Sequence, residues 1–240
     1  VEGKMAMSSI NDLTLDVNAN NLHFATATQK YEIPNAKLKT FVEAGGRVID
    51  VDAPGAATGK ISGRYNLGDL VGMVENGVGR ILVGPPPRKL YRDQNFKMNF
   101  NVQQGLVNYF LPDLKLPNGA LVEGEYDGSS NNLMLNLDAA ALKYIMTKEE
   151  EITDADKALA SSNPDYIVNN RKNQSRDSAM VDSVKVRINT ANLSQQIYAR
   201  INRLEYNKNI IKDFELKGNN ENGNTLHLAT VFKHGSPDDE

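Results

Sequence analysis

The sequence predicts an antiparallel all-β protein, and three observations support that fold class. Short runs alternate apolar and polar residues with a period of two, as in 133–137 and 184–188, a pattern typical of strands with one buried face. Asn accounts for 28 of 240 residues, and many of these lie beside Gly, Asp or another Asn, as in tight turns. Only short segments place apolar residues at helical spacing. Strands with one wet face favour an antiparallel sheet.

The predicted strands recur along most of the chain and are separated by recognisable turns. Gly45-Gly46 separates the run at 38–42 from the run at 48–51. Residues 127–132 and the Asn-rich segment 219–224 separate two later pairs. Each of these predicts a hairpin. The clearest alternating runs occupy 13–17, 133–137, 184–188, 197–201, 214–218 and 226–228.

Two short helices are expected to interrupt the strands. Leu70, Val71 and Val74 lie at helical spacing within 69–78, with Asp69 at the position of an N-cap. A second turn of helix is expected at 105–111, where Pro112 would end it.

The chain divides into three predicted regions. Residues 1–147 form strands with the short helix near 69–78. Residues 148–180 are polar and charged, and they predict a helical or loop excursion out of the sheet. Residues 181–240 return to strands of the same sheet. The chain begins at Val1 without a basic or apolar leader, which indicates a mature protein or a fragment of a longer one.

Composition excludes several classes of function. The net charge is −3, so no basic field favours nucleic acid. Cys is absent, which excludes disulfides, thiolate metal sites and Cys nucleophiles. No run approaches the about 18 apolar residues of a membrane-spanning helix. The three His residues lie far apart, so neither a metal nor a cofactor is predicted.

No motif predicts an enzyme. Residues 54–60 are glycine-rich but lack the spacing and the final Ser or Thr of a phosphate-binding loop. Residues 127–131 begin like a calcium loop but lack the downstream bidentate carboxylate. Asp50 and Asp52 are the only local carboxylate pair considered for acid–base chemistry, and strand alternation explains both as residues of the wet face.

The most prominent feature is an apolar stripe that recurs on strand after strand. Two interpretations fit it: the closed core of a β-sandwich, or an open groove in a sheet curled on itself, shaped for acyl chains. The candidate groove-lining residues are Leu133, Leu135, Leu137, Val184, Val186, Ile188, Ile197, Ile201, Leu216, Leu226 and Leu228.

One strand pattern leads directly into the predicted helix: Gly59-Lys60-Ile61-Ser62-Gly63-Arg64-Tyr65 reads Gly-x-hydrophobic-x-Gly-x-aromatic. Further distinctive segments are 95–100, 109–114, 124–128, 133–144, 181–184, 192–193, 204–207 and 211–214. Together these segments resemble TamB-type proteins of the bacterial envelope and the related AsmA-like proteins.

The resemblance implies a β-taco, an elongated antiparallel sheet curled into a U with an apolar interior. It also implies transport of phospholipid between the inner and outer membranes, support of outer-membrane protein assembly, or both. The implied partners are phospholipid acyl chains and, through parts of a parent protein not evident here, an outer-membrane barrel of the TamA/BamA kind. The implied location is the periplasm of a Gram-negative bacterium, with the parent protein anchored in the inner membrane. No catalytic residue and no cofactor follow from the resemblance.

The main alternative is a non-enzymatic interaction or adhesion module with a closed β-sandwich core. Alternation alone does not separate it from the groove, because both require one apolar face on every strand.

Overall fold

The computed structural model describes residues 2–9, 11, 13–25, 30–81, 88–91, 93–147, 176–206, 209–220, 223 and 225–235. These residues form one open, curled, antiparallel sheet of 13 strands with two short helices. The predicted all-β, taco-like fold class is therefore confirmed. The described strands belong to a single sheet, and the β-sandwich alternative would have needed two.

The elements follow one another in a simple meander. The helices are α1 (Leu70–Gly79), preceded by a 3-10 turn at Leu67–Asp69, and α2 (Gln104–Phe110). The strands are β1 (Glu2–Ala6), β2 (Thr14–Ala25), β3 (Lys30–Glu43), β4 (Gly46–Ala53), β5 (Ala57–Gly63), β6 (Asn95–Val102), β7 (Leu114–Lys115), β8 (Ala120–Asp127), β9 (Asn132–Thr147), β10 (Arg176–Asn189), β11 (Ile197–Tyr206), β12 (Asn209–Asn219) and β13 (His227–Gly235).

Each strand on the main path pairs with the strand before and after it in sequence, apart from β7. The spatial order is β1-β2-β3-β4-β5-β6-β8-β9-β10-β11-β12-β13, and β7 pairs only with the far end of β9. Strands β1 and β13 are the outer strands of the described sheet. Each therefore presents one row of backbone groups that has no strand partner within that sheet.

The predicted elements correspond closely to the observed ones, and two of the differences concern the starts of α1 and β10. Asp69 does occupy the N-cap position of α1 but makes no capping hydrogen bond. Its carboxylate instead accepts from Gln94 Nε2 at 2.8 Å and Asn66 Nδ2 at 3.1 Å, which ties the start of the helix to the residue before β6. Strand β10 begins at Arg176, inside the predicted excursion, and residues 148–175 lie outside the described part of the chain.

The strand registers bring alternate residues into continuous rows that run across the sheet. One row, here the central apolar row, is Gly3, Val17, Leu38, Val51, Gly59, Phe100, Val122, Leu137, Val186, Ala199, Leu216 and Thr230. The neighbouring residues form a second row, here the charged row: Lys4, Asp16, Lys39, Asp50, Lys60, Asn99, Glu123, Asn136, Arg187, Tyr198, Lys217 and Ala229. Because adjacent residues of a strand point to opposite sides, the sheet has an apolar face and a charged face.

Helix α1 covers one end of the strands on the apolar face. A Cβ added to Gly77 would lie only 2.3 Å from the Cβ of Leu133, so the helix backbone lies almost directly on β9. Met73 is fully buried beneath the helix, beside the rings of Phe96 and Tyr126, which stack at 5.9 Å. This cluster is the first of two packed regions on the apolar face.

Helix α2 and Leu116, which follows β7, cover a second part of the apolar face. Leu116, Ala120, Ala139 and Val184 form the second buried cluster, and Val107 of α2 packs against it. Ala120 is the first residue of β8 and pairs with Ala139 in the middle of β9, at the end of the β8–β9 ladder opposite to the end that α1 covers. The two helices therefore lie over opposite borders of the sheet.

Hydrogen bonds from distant segments fix the curl. Asn220, which follows β12, donates from Nδ2 to the carbonyl oxygen of Ile81, just past α1, at 2.7 Å. Its backbone N–H donates to Oε1 of Gln196 at 2.6 Å. The sheet thus bends until its late strands reach the helix on the apolar face. Within the described residues no helix has both the length and the apolarity needed to span a bilayer.

Candidate functional site

The candidate site is the part of the apolar face that lies between the two packed clusters. We define this apolar trough by the central apolar row from Val51 to Leu216: Val51, Gly59, Phe100, Val122, Leu137, Val186, Ala199 and Leu216. Leu137 and Val186 pack against the edge of the second cluster, the other six residues belong to neither cluster, and all eight are half-buried. At about 4.8 Å between neighbouring strands, these eight strands give a length of about 34 Å. The trough is therefore a long apolar surface between two covered borders.

Gly59 allows the Phe100 ring to lie flat on the floor of the trough. Gly59 has φ +156°, and a Cβ there would lie 2.2 Å from the Asn99 carbonyl oxygen and 2.7 Å from the Phe100 ring. Only glycine fits such a position without displacing the neighbouring strand. The Phe100 side chain consequently lies over the backbone of Gly59.

The predicted lining residues fall on different parts of the apolar face. Leu133 and Val184 are only 1% and 6% exposed, because α1 covers the first and the second buried cluster contains the other. These two side chains contact protein and not open space. Leu226 precedes β13 and is half-buried.

The remaining predicted residues lie on three adjacent rows. Leu137, Val186 and Leu216 belong to the central apolar row, and Ile201 pairs with Val184 in the row nearer α2. The row nearer α1 contains Leu135, Ile188, Ile197 and Leu228.

Phe100 and Val122 lie at the middle of the trough, and neither was among the predicted lining residues. The signal was present, since Phe96, Met98, Phe100 and Val102 alternate with polar residues along β6. The Asn and Lys residues between them gave the segment a polar character that hid its apolar side.

One end of the apolar face holds buried polar side chains, among them Arg47, Thr40 and Tyr65. Arg47 is 5% exposed. Its guanidinium donates to the carbonyl oxygen of Leu13 at 2.6 Å, to Thr40 Oγ1 at 3.1 Å and to the carbonyl oxygen of Asn11. The Tyr65 hydroxyl is buried and has no hydrogen-bond partner among the described residues. Burial raises the pKa of Tyr65 to about 12, and the smaller effect of the Arg47 charge opposes this shift.

The charged face holds the carboxylate pair that the sequence offered for catalysis. Asp50 lies opposite Lys39 and Lys60, while Asp52 lies opposite Lys37 and Thr58. Both point away from the trough, as the wet-face interpretation expected. Elsewhere on the charged face, half-exposed side chains form cross-strand ion pairs, such as Lys185–Asp138 at 3.0 Å, a type that contributes little stability.

The other sequence motifs form turns. Residues 54–56 connect β4 to β5, and 57–60 already belong to β5. The Asp127 carboxylate accepts from Ser129 N–H at 2.9 Å and from the hydroxyls of Ser129 and Ser130. These hydrogen bonds lower the pKa of Asp127. No group of three metal-ligating side chains occurs in the described part of the chain.

A separate cleft of about 630 Å³ lies at the β1–β4 end of the sheet. Its lining residues are Lys4, Met5, Ala6, Thr14, Leu15, Asp16, Lys39, Thr40, Phe41 and Asp50. Seven of these ten have side chains on the charged face by strand register, so this β1–β4 cleft opens on that face, away from the trough.

No family model, no curated protein and no solved structure matches the chain. The functional assignment therefore depends on the geometry of the trough and of the faces around it.

Proposed function

We propose that the chain binds the acyl chains of phospholipids in the apolar trough and serves in their transport, without enzymatic activity. The observation that supports this proposal is the central apolar row. It continues from strand to strand without a charged side chain and stays half-exposed between two covered borders.

The chemistry of the row matches an acyl chain better than a polar substrate. A long apolar surface that stays partly open is unusual for a protein without an apolar partner. A polar substrate would need convergent hydrogen-bond donors or acceptors, and the trough row offers only Gly, Ala, Val, Leu and Phe side chains. An acyl chain needs none of these groups, and it can lie along the row across successive strands.

The proposed parent protein and its cellular location depend on the resemblance to TamB-type proteins. We propose on that basis that the chain is a segment of such a protein in the periplasm of a Gram-negative bacterium, with the parent protein anchored in the inner membrane. Support of outer-membrane protein assembly and the barrel partner belong to the same resemblance. The trough geometry favours only the lipid-binding part.

The test compares two neighbouring substitutions on β8. Val122 lies at the middle of the trough, whereas Leu121 is 41% exposed on the opposite face. We expect Val122→Arg to lower the amount of bound dioleoylphosphatidylglycerol by about tenfold or more, because a charge in an apolar lining is costly. Leu121→Arg should bind like the wild type. Native mass spectrometry after incubation with the lipid measures both.

Circular dichroism of each variant controls for folding. If the wild type binds no phospholipid, the proposal fails. If a folded Val122→Arg protein binds as well as Leu121→Arg, the trough is not the binding site.

A second candidate function is that of an interaction module, which the exposed strand β13 favours. Leu228, Val231 and Phe232 are 57%, 68% and 55% exposed, and the outer edge of β13 has no strand partner in the described sheet. Such an edge is suited to adding an extended strand of another protein. Pro substitution at a β13 residue whose N–H points outward would block strand addition and leave lipid binding intact.

A further inference from the structure

The end of helix α2 exposes three consecutive apolar side chains that the lipid-binding proposal does not use. Tyr109, Phe110 and Leu111 are 51%, 68% and 57% exposed. The rings of Tyr109 and Phe110 meet edge to face, with their centroids 5.0 Å apart. Such a run is unfavourable in water unless it serves to bind a partner.

The segment that follows α2 holds these residues against the end of strand β9. The carbonyl oxygen of Leu111 accepts from the N–H of Leu114, and that of Asp113 from the N–H of Ile145, both at 2.9 Å. Leu114 pairs with Tyr144, whose side chain is also exposed. We define the α2 tip by four exposed apolar side chains: Tyr109, Phe110, Leu111 and Tyr144.

Two lysines lie beside the α2 tip. Lys115 and Lys143 occupy directly opposite positions of β7 and β9, both are half-buried, and like charges so placed disfavour each other. Nζ of Lys115 donates to the carbonyl oxygen of Pro112 at 2.9 Å, which places this ammonium group next to Leu111. Neither lysine forms an ion pair with a carboxylate of the described residues. An anionic group at this place would therefore stabilise both charges.

The combination of side chains fits a bilayer surface better than a protein groove. Tyr is enriched where a membrane meets water, because its ring is apolar and its hydroxyl is polar. Lysine side chains keep their charge at the headgroups while their stems contact apolar surface. Protein–protein interfaces, by contrast, are depleted in lysine.

The α2 tip belongs to a helix that borders the apolar trough. Val107 of α2 packs against the second buried cluster, and Leu137 and Val186 of the trough pack against the same cluster. A bilayer in contact with the tip would therefore lie at the border of the trough.

We infer that the α2 tip docks onto the surface of an anionic phospholipid bilayer. Phe110 and Leu111 enter its apolar region, and Lys115 and Lys143 contact the anionic headgroups. This inference goes beyond the acyl-chain binding proposed above, and docking is measurable whether or not the trough holds lipid.

The first experiment measures cosedimentation of the whole chain with phosphatidylglycerol vesicles. We expect Phe110→Ser to weaken binding by about tenfold, because the variant loses the burial of one aromatic side chain. Tyr91→Ser is the matched control, since Tyr91 is 70% exposed and lies between α1 and β6, away from the tip. It should bind like the wild type.

A second pair of variants tests the charge. Lys143→Gln should weaken binding by about fivefold, the effect of one lysine at an anionic surface. Lys60→Gln makes the same change of net charge on the charged row of β5, where the side chain is exposed, and should bind like the wild type.

A fluorescent reporter measures insertion directly. The chain contains no Trp, so Phe110→Trp carries a single indole at the tip. Its emission should move to shorter wavelength when the vesicles are added and should be quenched by brominated acyl chains. Tyr91→Trp should show neither change. Circular dichroism of each variant controls for folding.

Four outcomes overturn the inference. They are no sedimentation of the wild type with vesicles, equal binding by Phe110→Ser and Tyr91→Ser, equal binding by Lys143→Gln and Lys60→Gln, or an emission shift of Phe110→Trp that needs only a higher protein concentration. The last would mean that a second copy covers the tip.

The trough and the tip are separated by Val122→Arg. Docking lost in Val122→Arg and kept in Phe110→Ser would assign the membrane contact to the trough and overturn the inference. A wild type that binds dispersed phospholipid but not vesicles contradicts docking alone. Sedimentation with vesicles without binding of dispersed phospholipid supports docking and contradicts only the proposed function of the trough.

Discussion

The buried hydroxyl of Tyr65 lowers the stability of the fold, because no hydrogen bond among the described residues compensates for its loss of hydration. It is 7% exposed within the cluster under α1, and its oxygen has no hydrogen-bond partner among the described residues. A buried hydroxyl without a partner loses its hydration and gains nothing in exchange. The same burial raises the pKa of Tyr65 from 10.0 to about 12.

We predict that Tyr65→Phe leaves the stability at pH 7 unchanged or raises it by about 1 kcal/mol, because the phenyl ring keeps the packing and removes the desolvated hydroxyl. The raised pKa also sets a pH dependence. The folded state favours the neutral phenol of Tyr65. Its ionisation therefore leaves the free energy of unfolding unchanged below pH 10, and lowers that free energy as the pH rises towards 12.

The measurement is the free energy of unfolding in urea for the wild type and Tyr65→Phe between pH 8 and pH 12. The wild type should lose stability relative to the variant above pH 10. Tyr126, whose pKa burial also raises, is present in both proteins and cancels in the difference. Parallel curves would contradict the prediction.

For individual residues, the sequence predicted the face of the sheet on which a side chain lies. It did not predict which other element packs over that side chain. Alternation placed Asp50 and Asp52 on the wet face and Leu133 on the apolar face, and the registers agree. It did not reveal that α1 covers Leu133, because periodicity within a strand contains no information about the helix that packs on it. The partners of Arg47 were equally hidden, since they are backbone carbonyls 34 and 36 residues away.

Among the elements, the position of helix α1 depends on the close contact between Gly77 and Leu133 of strand β9. Gly77 lies so near β9 that an added Cβ would come within 2.3 Å of Leu133 Cβ. The backbone of α1 therefore lies closer to strand β9 than it could with any residue other than glycine at position 77.

We predict that Gly77→Ala destabilises the protein by about 1–3 kcal/mol, as overpacking of a filled core does. Gly79→Ala is the control, because a Cβ there meets nothing within 4 Å. It should be neutral or stabilising by about 0.5–1 kcal/mol through the higher helix propensity of Ala. Urea unfolding of both variants distinguishes these effects, and equal stability would mean that α1 does not rest on Leu133.

Sequence signals that lie within a few residues of each other predicted the helices and most of the turns. The expected helices at 69–78 and 105–111 differ from α1 and α2 by one residue at each end, because apolar spacing and Pro112 are local in the sequence. The position of β7 beside the far end of β9 was not predicted, since a two-residue strand leaves no periodicity to detect.

Across the whole molecule, the protection of backbone amides from hydrogen exchange should decrease from the middle of the sheet to its edges. Strand β8 is paired on both sides and contributes buried residues to both clusters. Strand β13 pairs only with β12, and its residues from His227 to His234 are exposed.

We predict that amides of β8 exchange with deuterium at the rate set by global unfolding, whereas amides of β13 exchange through local opening at much lower free energy. Hydrogen–deuterium exchange followed by mass spectrometry measures both regions. Equal protection of β8 and β13 would mean that another chain covers β13, and sedimentation velocity would then detect the assembly.

The bond between Asn220 and Ile81 has a consequence for the order of folding. Nearly every strand pairs with its neighbour in sequence, so the meander can grow strand by strand, through loops that are short apart from the connections at 64–94, 103–119 and 148–175. The Asn220 bond joins residues 139 positions apart, and closing so long a segment comes late because it requires both partners to be in place. We therefore expect an early flat ribbon whose apolar side is open, followed by a separate rolling step once β12 has formed. During that interval the ribbon is most vulnerable to pairing with the wrong chain.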